Sequence, residues 1–502
     1  MIDIGSRLEL LVDLALIDRH TAGCRHVLHH PTPRELVEGI GDDEGRIYRY
    51  MTVFRDGDHF RMYYACPKIT HEGGEKRRWP ERICLATSRD GLRWERADLD
   101  LFPVPELKVN PVVWIEDGRE RFGVGGFSPF RDNNPACPPE ERYKAIAEAG
   151  PAGKAALGRN GLFALASPDG IHWHNLSREL VMTGGPGLGA FDSQNLAFWD
   201  SVRGEYRLYR REVFREGPHL AFRDVLTATS PDFLRWSEPQ RLRYPGALPE
   251  QLYTNNIQPY PRAPHLFVGF PVRYVMRPWS DAMAALPERE RREQLIRESG
   301  AEPNADDPTG AGGVRIGTSL TDVLFMASRD GLNFHRAPTA FLRPGLRMKD
   351  NWFYPDNYPA WGMLATPSAI EGAPEELSFY VSEGGRRPVP NQCRRYTLRM
   401  DGFASLQADA FGGEAVTHPL RFRGRQLFVN FSASAAGSVR VELLDAAGWP
   451  LPGFVSELLG DDLERPVRWE NGADLSALEG EPVRLRWQLH EADLFAFRFG
   501  NG

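Results

Sequence analysis

Four acidic residues carry the chemistry that this chain suggests: Asp192, Glu212, Asp356 and Glu383. Breaking a glycosidic bond takes two carboxyl groups, one to protonate the leaving oxygen and one to activate water or attack the anomeric carbon. The favoured pair is Asp192, as base or nucleophile, with Glu383 as general acid. The competing reading makes Asp192 a turn cap and Glu383 an ion-pair partner of Arg386, Arg387 or an arginine from a neighbouring segment. Glu212 and Asp356 stand in reserve, as the acid or as a third carboxylate that tunes the pair. Around them Arg49, Gln194, Asn195, Arg211, Asn255, Asn256, Arg273 and Tyr358 supply amides, guanidinium groups and a phenol with almost no aliphatic surface. Such a lining suits a hydroxyl-rich ligand, and Arg211 and Arg273 are expected to orient a carboxylate or a substrate oxygen.

These residues meet only if a repeated unit brings them together. A short phrase recurs as Ser88-Arg-Asp-Gly-Leu-Arg-Trp94, Ser167-Pro-Asp-Gly-Ile-His-Trp173, Ser230-Pro-Asp-Phe-Leu-Arg-Trp236 and Ser328-Arg-Asp-Gly-Leu-Asn-Phe334, with a worn copy at Met400-Asp-Gly-Phe-Ala-Ser405. An apolar run of β type precedes each copy, as in Ile83-Cys-Leu-Ala-Thr and Val225-Leu-Thr-Ala-Thr. In the first unit Tyr50–Phe54, the turn Arg55-Asp-Gly-Asp58 and Phe60–Tyr64 read as a hairpin that leads into a third and fourth strand. The same four-strand sentence parses five times, which predicts an all-β, five-bladed propeller. In each phrase the Asp caps a tight turn, the Gly tolerates positive φ and the aromatic ring packs inward, so the phrase is scaffold. In a propeller the starts of the innermost strands and the ends of the second strands converge on one channel face, and the candidate residues lie at those ends.

The expected domains are a propeller over residues 1–410, with a charged helix inserted at 281–307, and a C-terminal β-sandwich over 411–502. The inserted helix reads equally as a solvated surface element or as a wall over the site. A formal charge of −7 argues against a nucleic-acid partner. No apolar run reaches membrane-spanning length, and the charged N-terminus lacks the apolar core of a secretion signal, so a cytoplasmic location is expected. Five cysteines at unrelated spacings offer neither a disulfide framework nor a metal motif. His29-His30 and His172-x-His174 lack carboxylate or cysteine partners in register, and Gly184–Gly189 precedes a strand rather than a helix, so no metal or cofactor is expected. The expected partner is a carbohydrate; a homo-oligomer is compatible with the sequence.

Several segments resemble bacterial proteins described as glycoside hydrolase family 32-like, within the five-bladed β-fructosidase and arabinanase superfamily. They are Phe191–Asp200, Leu252–Asn256, Arg262–His265, Gly269–Arg273, Asn357–Gly362, Leu475–Gly480 and Asp493–Phe497. The resemblance implies a propeller with a C-terminal sandwich and hydrolysis of a non-reducing-end sugar, furanoside or related. The chain departs from the family in its first unit, where Tyr48-Arg49-Tyr50 stands in place of the acidic nucleophile motif, and it lacks the Arg-Asp-Pro and Glu-Cys motifs. The family's acid–base layout is therefore not carried over. Two other readings stay open: a sialidase-like enzyme using Arg49, Arg211 and Arg273 as an arginine triad, and a propeller that binds glycans without cleaving them.

Overall fold

The computed structural model describes residues 1–40, 50–66, 69–72, 75–78, 81–104, 107–116, 121–184, 190–216, 219–298, 315–348, 351–385 and 392–501. The chain forms two compact units, one of residues 31–259 and 264–397, the other of 1–30, 260–263 and 398–502. The structure is dominated by β-strands.

The larger unit contains a succession of four- and five-stranded antiparallel sheets, the blade pattern of a β-propeller. The first runs outward from Thr52–Asp56 through His59–Cys66 and Arg82–Ser88 to Glu95–Arg96. Its first hairpin follows the expected Asp-Gly turn: Asp56 pairs with His59, and Gly57 takes φ of 66°. The second comprises Ser128–Arg131, Tyr143–Glu148, Gly161–Ser167 and His174–Asn175; the third comprises Leu196–Asp200, Glu205–Glu216, His219–Ser230 and Gln240–Arg241. The fourth joins Gln258–Tyr260, Ala263–Gly269, Met326–Ser328 and His335–Arg336. The fifth carries Tyr358–Pro359 and Leu364–Thr366 on Glu376–Glu383, then Gln392–Leu398. Its outermost strand is Thr32–Leu36, contributed by the N-terminal part of the chain, and not a strand from the worn copy at Met400–Ser405.

Inner strands of different sheets touch directly. Thr52 bridges Trp361 in parallel, Trp361 Nε1 donates to the Ile257 carbonyl (3.0 Å), and Gln194 Nε2 donates to the Met51 carbonyl and Thr52 Oγ1 (3.2 Å each).

The recurring phrase is a turn closed by its own side chains. In the second copy Asp169 Oδ1 accepts the Ile171 and His172 amides (2.8 and 2.9 Å) and the Ser167 hydroxyl (3.0 Å), and Trp173 Nε1 donates to the Gly170 carbonyl (3.0 Å). The other copies repeat the pattern around Asp90, Asp232 and Asp330. A tyrosine from the preceding sheet then locks three of these turns: Tyr63 Oη donates to the Gly170 carbonyl (2.8 Å), Tyr209 Oη to Gly331 (2.9 Å), and Tyr380 Oη to Gly91. Where the second sheet has Ile146 at the register of Tyr63, the turn it faces carries Phe233 instead of glycine, and the two side chains share one apolar cluster.

These turns make the fold acid-sensitive in a defined window. Partial burial pushes the Asp169 carboxyl up, but the His172 amide and ring, the Ile171 amide and the Ser167 hydroxyl outweigh it and pull it down to about 2. Asp232 reaches about 2 in the same way through Arg235 and Leu234, and Asp90 and Asp330 are lowered by their own turn donors. A carboxyl whose folded pKa lies below its unfolded value, about 3.9, stabilises the fold fully above pH ~4 and loses that contribution as pH falls through the folded pKa. Circular dichroism during acid titration is therefore expected to show structure lost between about pH 4 and 2. The Asp169→Asn/Asp232→Asn variant should have a flatter response across that window; an unchanged titration would exclude these turns as its source.

The smaller unit holds eleven paired strands. Ile2–Gly5 runs parallel to Leu420–Phe422, Glu9–Leu10 pairs with Phe497 and Ala496, Ile17–His20 with Gly413–Thr417, and Cys24–Leu28 with Ala404–Ala408. The expected boundary at residue 410 is thus displaced, because residues 2–28 and 404–408 complete the C-terminal sheet. Two long strands, Gln426–Asp445 and Val483–Gly500, pair along most of their length, with an irregularity where Ala433 faces Ala492 and Ser438 faces His490. Leu427, Val429 and Phe431 on one side of that break, and Val439, Val441 and Leu443 on the other, enter one core with Trp487 and Phe497.

The insertion between Val272–Val275 and Leu320–Val323 contains helices Asp281–Ala284, Arg289–Glu298 and Arg315–Thr318. The single helix expected over 281–307 is broken after Ala284, and residues 299–307 lie outside the described residues. Its longest helix is anchored inward by Arg292, which is 0% exposed.

Candidate active site

Each innermost strand of the larger unit is preceded by a residue in left-handed conformation: Tyr50 (φ 79°), Gly126 (68°), Phe191 (69°), Asn256 (44°) and Asn357 (57°). For a residue with a side chain this costs about 1–3 kcal/mol, and such strain persists where surrounding contacts over-determine it. Asn195 Nδ2 ties down the Phe191 and Ser193 carbonyls (3.0 Å each), and Asn256 Nδ2 donates to the Pro359 carbonyl (2.9 Å). The turns bring the segments before the strands together at one end of the sheets.

What they assemble is a floor of tyrosines. The Tyr253 ring lies 5.6 Å from Tyr354, 5.8 Å from Tyr358 and 6.1 Å from Tyr274, and Tyr50 meets Tyr358 at 6.3 Å. Tyr354 Oη donates to Tyr253 Oη (2.9 Å). The Arg211 guanidinium sits 4.8 Å from the Tyr253 ring centre, its side chain only 3% exposed, and Nη2 pairs with Asp192 Oδ2 at 3.1 Å. Burial alone would lower the Arg211 pKa, but Tyr253, Asp192 and Tyr50 hold it above its ordinary value, so it stays a cation. Asp192 itself is 70% exposed. A three-residue turn, closed by the Ser193 amide on the Phe191 carbonyl (2.5 Å), places it at the tip. An exposed carboxylate backed by a buried guanidinium is an anion presented to whatever enters from solvent.

The other predicted residues are distributed differently. Both Glu383 oxygens accept from Arg394 Nε (3.1 Å each) and Oε1 also accepts from Tyr396 Oη (2.6 Å), so a cross-strand arginine is its partner among the described residues; Arg386 and Arg387 lie outside them. A carboxylate engaged this way is poorly placed to carry the proton of a general acid. Glu212 is buried, accepting from Arg210 Nη1 (2.7 Å) and the Val213 amide (3.0 Å), and faces a separate cavity of about 980 Å³ beside Trp236. Asp356 is buried within the tyrosine-bearing segment, with Oδ1 accepting the Asn357 and Gly384 amides (3.0 and 2.8 Å). Gln194, Asn195, Asn255 and Asn256 spend donors on neighbouring main chain, which makes them builders of the floor. Arg273 is clamped by Asp322 (2.9 and 2.6 Å) and Glu250 (2.5 Å), so it cannot join an arginine triad, and Arg49 lies outside the described residues. Among the described residues no cluster of three or more His, Cys, Asp or Glu side chains is arranged to hold a metal ion.

The strand-end reasoning that selected the candidate residues also reaches Tyr253, Tyr274 and Tyr354; it missed Arg223. Arg223 Nη1 donates to Gln251 Oε1 (2.7 Å) while its guanidinium lies 4.6 Å from the Tyr274 ring centre. The signal for the tyrosines was their place at the channel end of several strands.

Arg292 holds this floor from behind. Nε donates to the Pro287 carbonyl (2.9 Å), Nη1 to Gly317 (3.1 Å) and Nη2 to Trp352, and the guanidinium lies 3.8 Å from the Phe353 ring centre. Burial pulls its pKa down to about 10, so it remains protonated at neutral pH. Arg292→Met keeps the stem but leaves three carbonyls without this donor, an expected loss of about 2–4 kcal/mol. Hydrogen exchange should then show amides 351–358 losing protection while the five sheets keep theirs. Unchanged protection there would mean that the insertion does not support the floor.

No family model and no curated protein matches the chain. Solved structures similar to it include an N-acetylgalactosamine deacetylase from F. plautii in complex with blood group B trisaccharide (13% identity, 74% of this chain and 94% of that one, TM-score 0.42). A glycoside hydrolase family 43 arabinoxylan arabinofuranohydrolase from Bacillus subtilis, in complex with cellotetraose, is 10% identical over 94% of this chain and 99% of its own (TM-score 0.40). An endo-arabinase from Bacteroides thetaiotaomicron is 9% identical over 74% and 98% (TM-score 0.39). Likeness at this level assigns no activity.

Proposed function

We propose that the chain is a glycoside hydrolase on a five-bladed propeller, acting on a non-reducing-end sugar, furanoside or related, over the tyrosine floor. The observation that carries this reading is Asp192, an exposed carboxylate paired at 3.1 Å with the buried Arg211 beside Tyr253. Tyrosine faces cover the C–H surface of a sugar ring, and Asp192 serves as base or nucleophile. The second carboxyl is Asp356 rather than Glu383. It lies between Tyr354 and Tyr358, both of which touch the Tyr253 ring that Arg211 overlies. The likeness to family 32 supports the substrate class only through the segments it shares, because the first unit lacks that family's acidic motif. The test is release of 4-nitrophenol from a panel of 4-nitrophenyl glycofuranosides and glycopyranosides, with Asp192→Asn as the control.

One observation favours a binding-only propeller: Glu212 and Glu383 are both engaged by arginines. Saturable glycan binding by calorimetry, with no hydrolysis of any substrate in the panel, would decide for that reading.

A further inference from the structure

Beyond its channel end the fourth sheet carries a second, smaller sheet of Gln251–Leu252, Val272–Val275 and Leu320–Val323. These strands are outward continuations of the sheet's first three strands, so they form a raised rim on the face where the tyrosine floor lies. A cavity of about 1180 Å³ opens along this rim. Tyr274 lines the cavity, and its ring also meets Tyr354 at 5.2 Å and Tyr253 at 6.1 Å. One side chain is therefore the partition between the candidate active site and the rim cavity. Gln251, in the same lining, is held by Arg223, whose guanidinium lies over Tyr274.

We propose that this cavity is the leaving-group subsite, and that its occupant is an apolar aglycone, aryl or alkyl, bearing an anionic group. The inference rests on the glycosidase reading of the adjoining floor. The lining sets the ligand class. Met276, Leu320 and Trp352 give it an apolar wall against which an aryl or alkyl group packs. Arg273 is already committed: it pairs with Asp322 and Glu250, and Glu250 also takes Arg336, so these four side chains balance one another. Arg277 and Arg343 differ: both line the cavity, both are exposed, and neither makes an ion pair among the described residues. Two uncommitted guanidinium groups on an apolar wall select a ligand with an apolar body and a carboxylate, sulfate or phosphate at its edge.

The test uses the full chain and two probes, 2-naphthoate and its neutral analogue 2-naphthylmethanol, titrated by calorimetry. Naphthoate is expected to bind at one site per chain, about tenfold or more tighter than the alcohol, as a charge-assisted contact requires. Arg277→Ala/Arg343→Ala should reduce naphthoate to the level of the alcohol, and Asp192→Asn should bind naphthoate as the wild type does. Equal binding of the two probes, or a double variant that binds naphthoate undiminished, overturns the proposal. In hydrolysis, the preference in kcat/KM for a carboxyaryl over a methyl glycoside should fall about tenfold in the double variant. A preference that survives removes the subsite role. Absence of hydrolysis with every glycoside would defeat the glycosidase reading alone, since the titration reports on the cavity itself.

Discussion

Asp192→Asn is expected to lower kcat by about 10³- to 10⁴-fold while the protein stays folded. The substitution keeps the shape of the turn tip and removes only the negative charge and the basic oxygen. Because Asp192 is 70% exposed, water replaces the lost contact on its outer side. On its inner side Arg211 keeps the Tyr253 ring as a partner, so the thermal transition should move little. The rate should not recover, because an amide neither accepts a proton from water at neutral pH nor attacks an anomeric carbon. A second readout separates this role from mere support: small carboxylates such as formate, entering the space vacated in Asp192→Ala, should restore part of the rate there and none in Arg211→Met. Hydrolysis undiminished by Asp192→Asn would falsify the assignment and move the search to Asp356.

What the chain discloses before folding depends on how local each interaction is. The Ser-x-Asp-Gly turns could be read directly, since every bond that closes them lies within three residues of the Asp. The first hairpin was legible for the same reason. Thr32–Leu36 was not legible as the outer strand of the fifth sheet, because its partners Arg394 and Thr397 lie some 360 residues away and its own pattern of mixed burial marks no face. The pairing of residues 2–28 with the C-terminal sheet escaped in the same way. At the site, Asp192 and Arg211 were brought onto one face by strand order, although the second strand runs on through Arg211 to Glu216. The partners of Glu383 were not legible, because a side chain's cross-strand neighbours depend on register, and Arg394 and Tyr396 alternate onto its face only once that register is set. Amides predicted to meet substrate turned inward because left-handed strand entries leave carbonyls that need donors, a demand visible only in the backbone angles.

The lock between neighbouring sheets yields a second large expected effect, this one on stability. Gly170 has φ of 76°, and a Cβ there would lie 2.5 Å from Arg61 Nη1 and 2.6 Å from Tyr63 Oη. Gly170→Ala should therefore cost about 2–4 kcal/mol, the left-handed backbone and the steric conflict adding together. Denaturant unfolding of the larger unit measures it. The protein already contains the alternative solution. At the turn of the third sheet Phe233 takes φ of 68°, buried in one cluster with Ile146, the residue at the register of Tyr63, while Lys144, at the register of Arg61, reaches to 6.0 Å from the Phe233 ring centre. Without a tyrosine hydroxyl seeking the turn carbonyl, the space it would fill goes to a ring. Gly170→Phe alone should be at least as damaging as Gly170→Ala, because the larger side chain meets the same two atoms. Combined with Tyr63→Ile and Arg61→Lys it reproduces the set found at Phe233, and at least half of the loss should return as a favourable coupling of about 1–3 kcal/mol. Additive losses in the triple variant would show that glycine at this turn answers to its backbone angle alone. Recovery would show that turn residue and facing strand are chosen together at each sheet boundary.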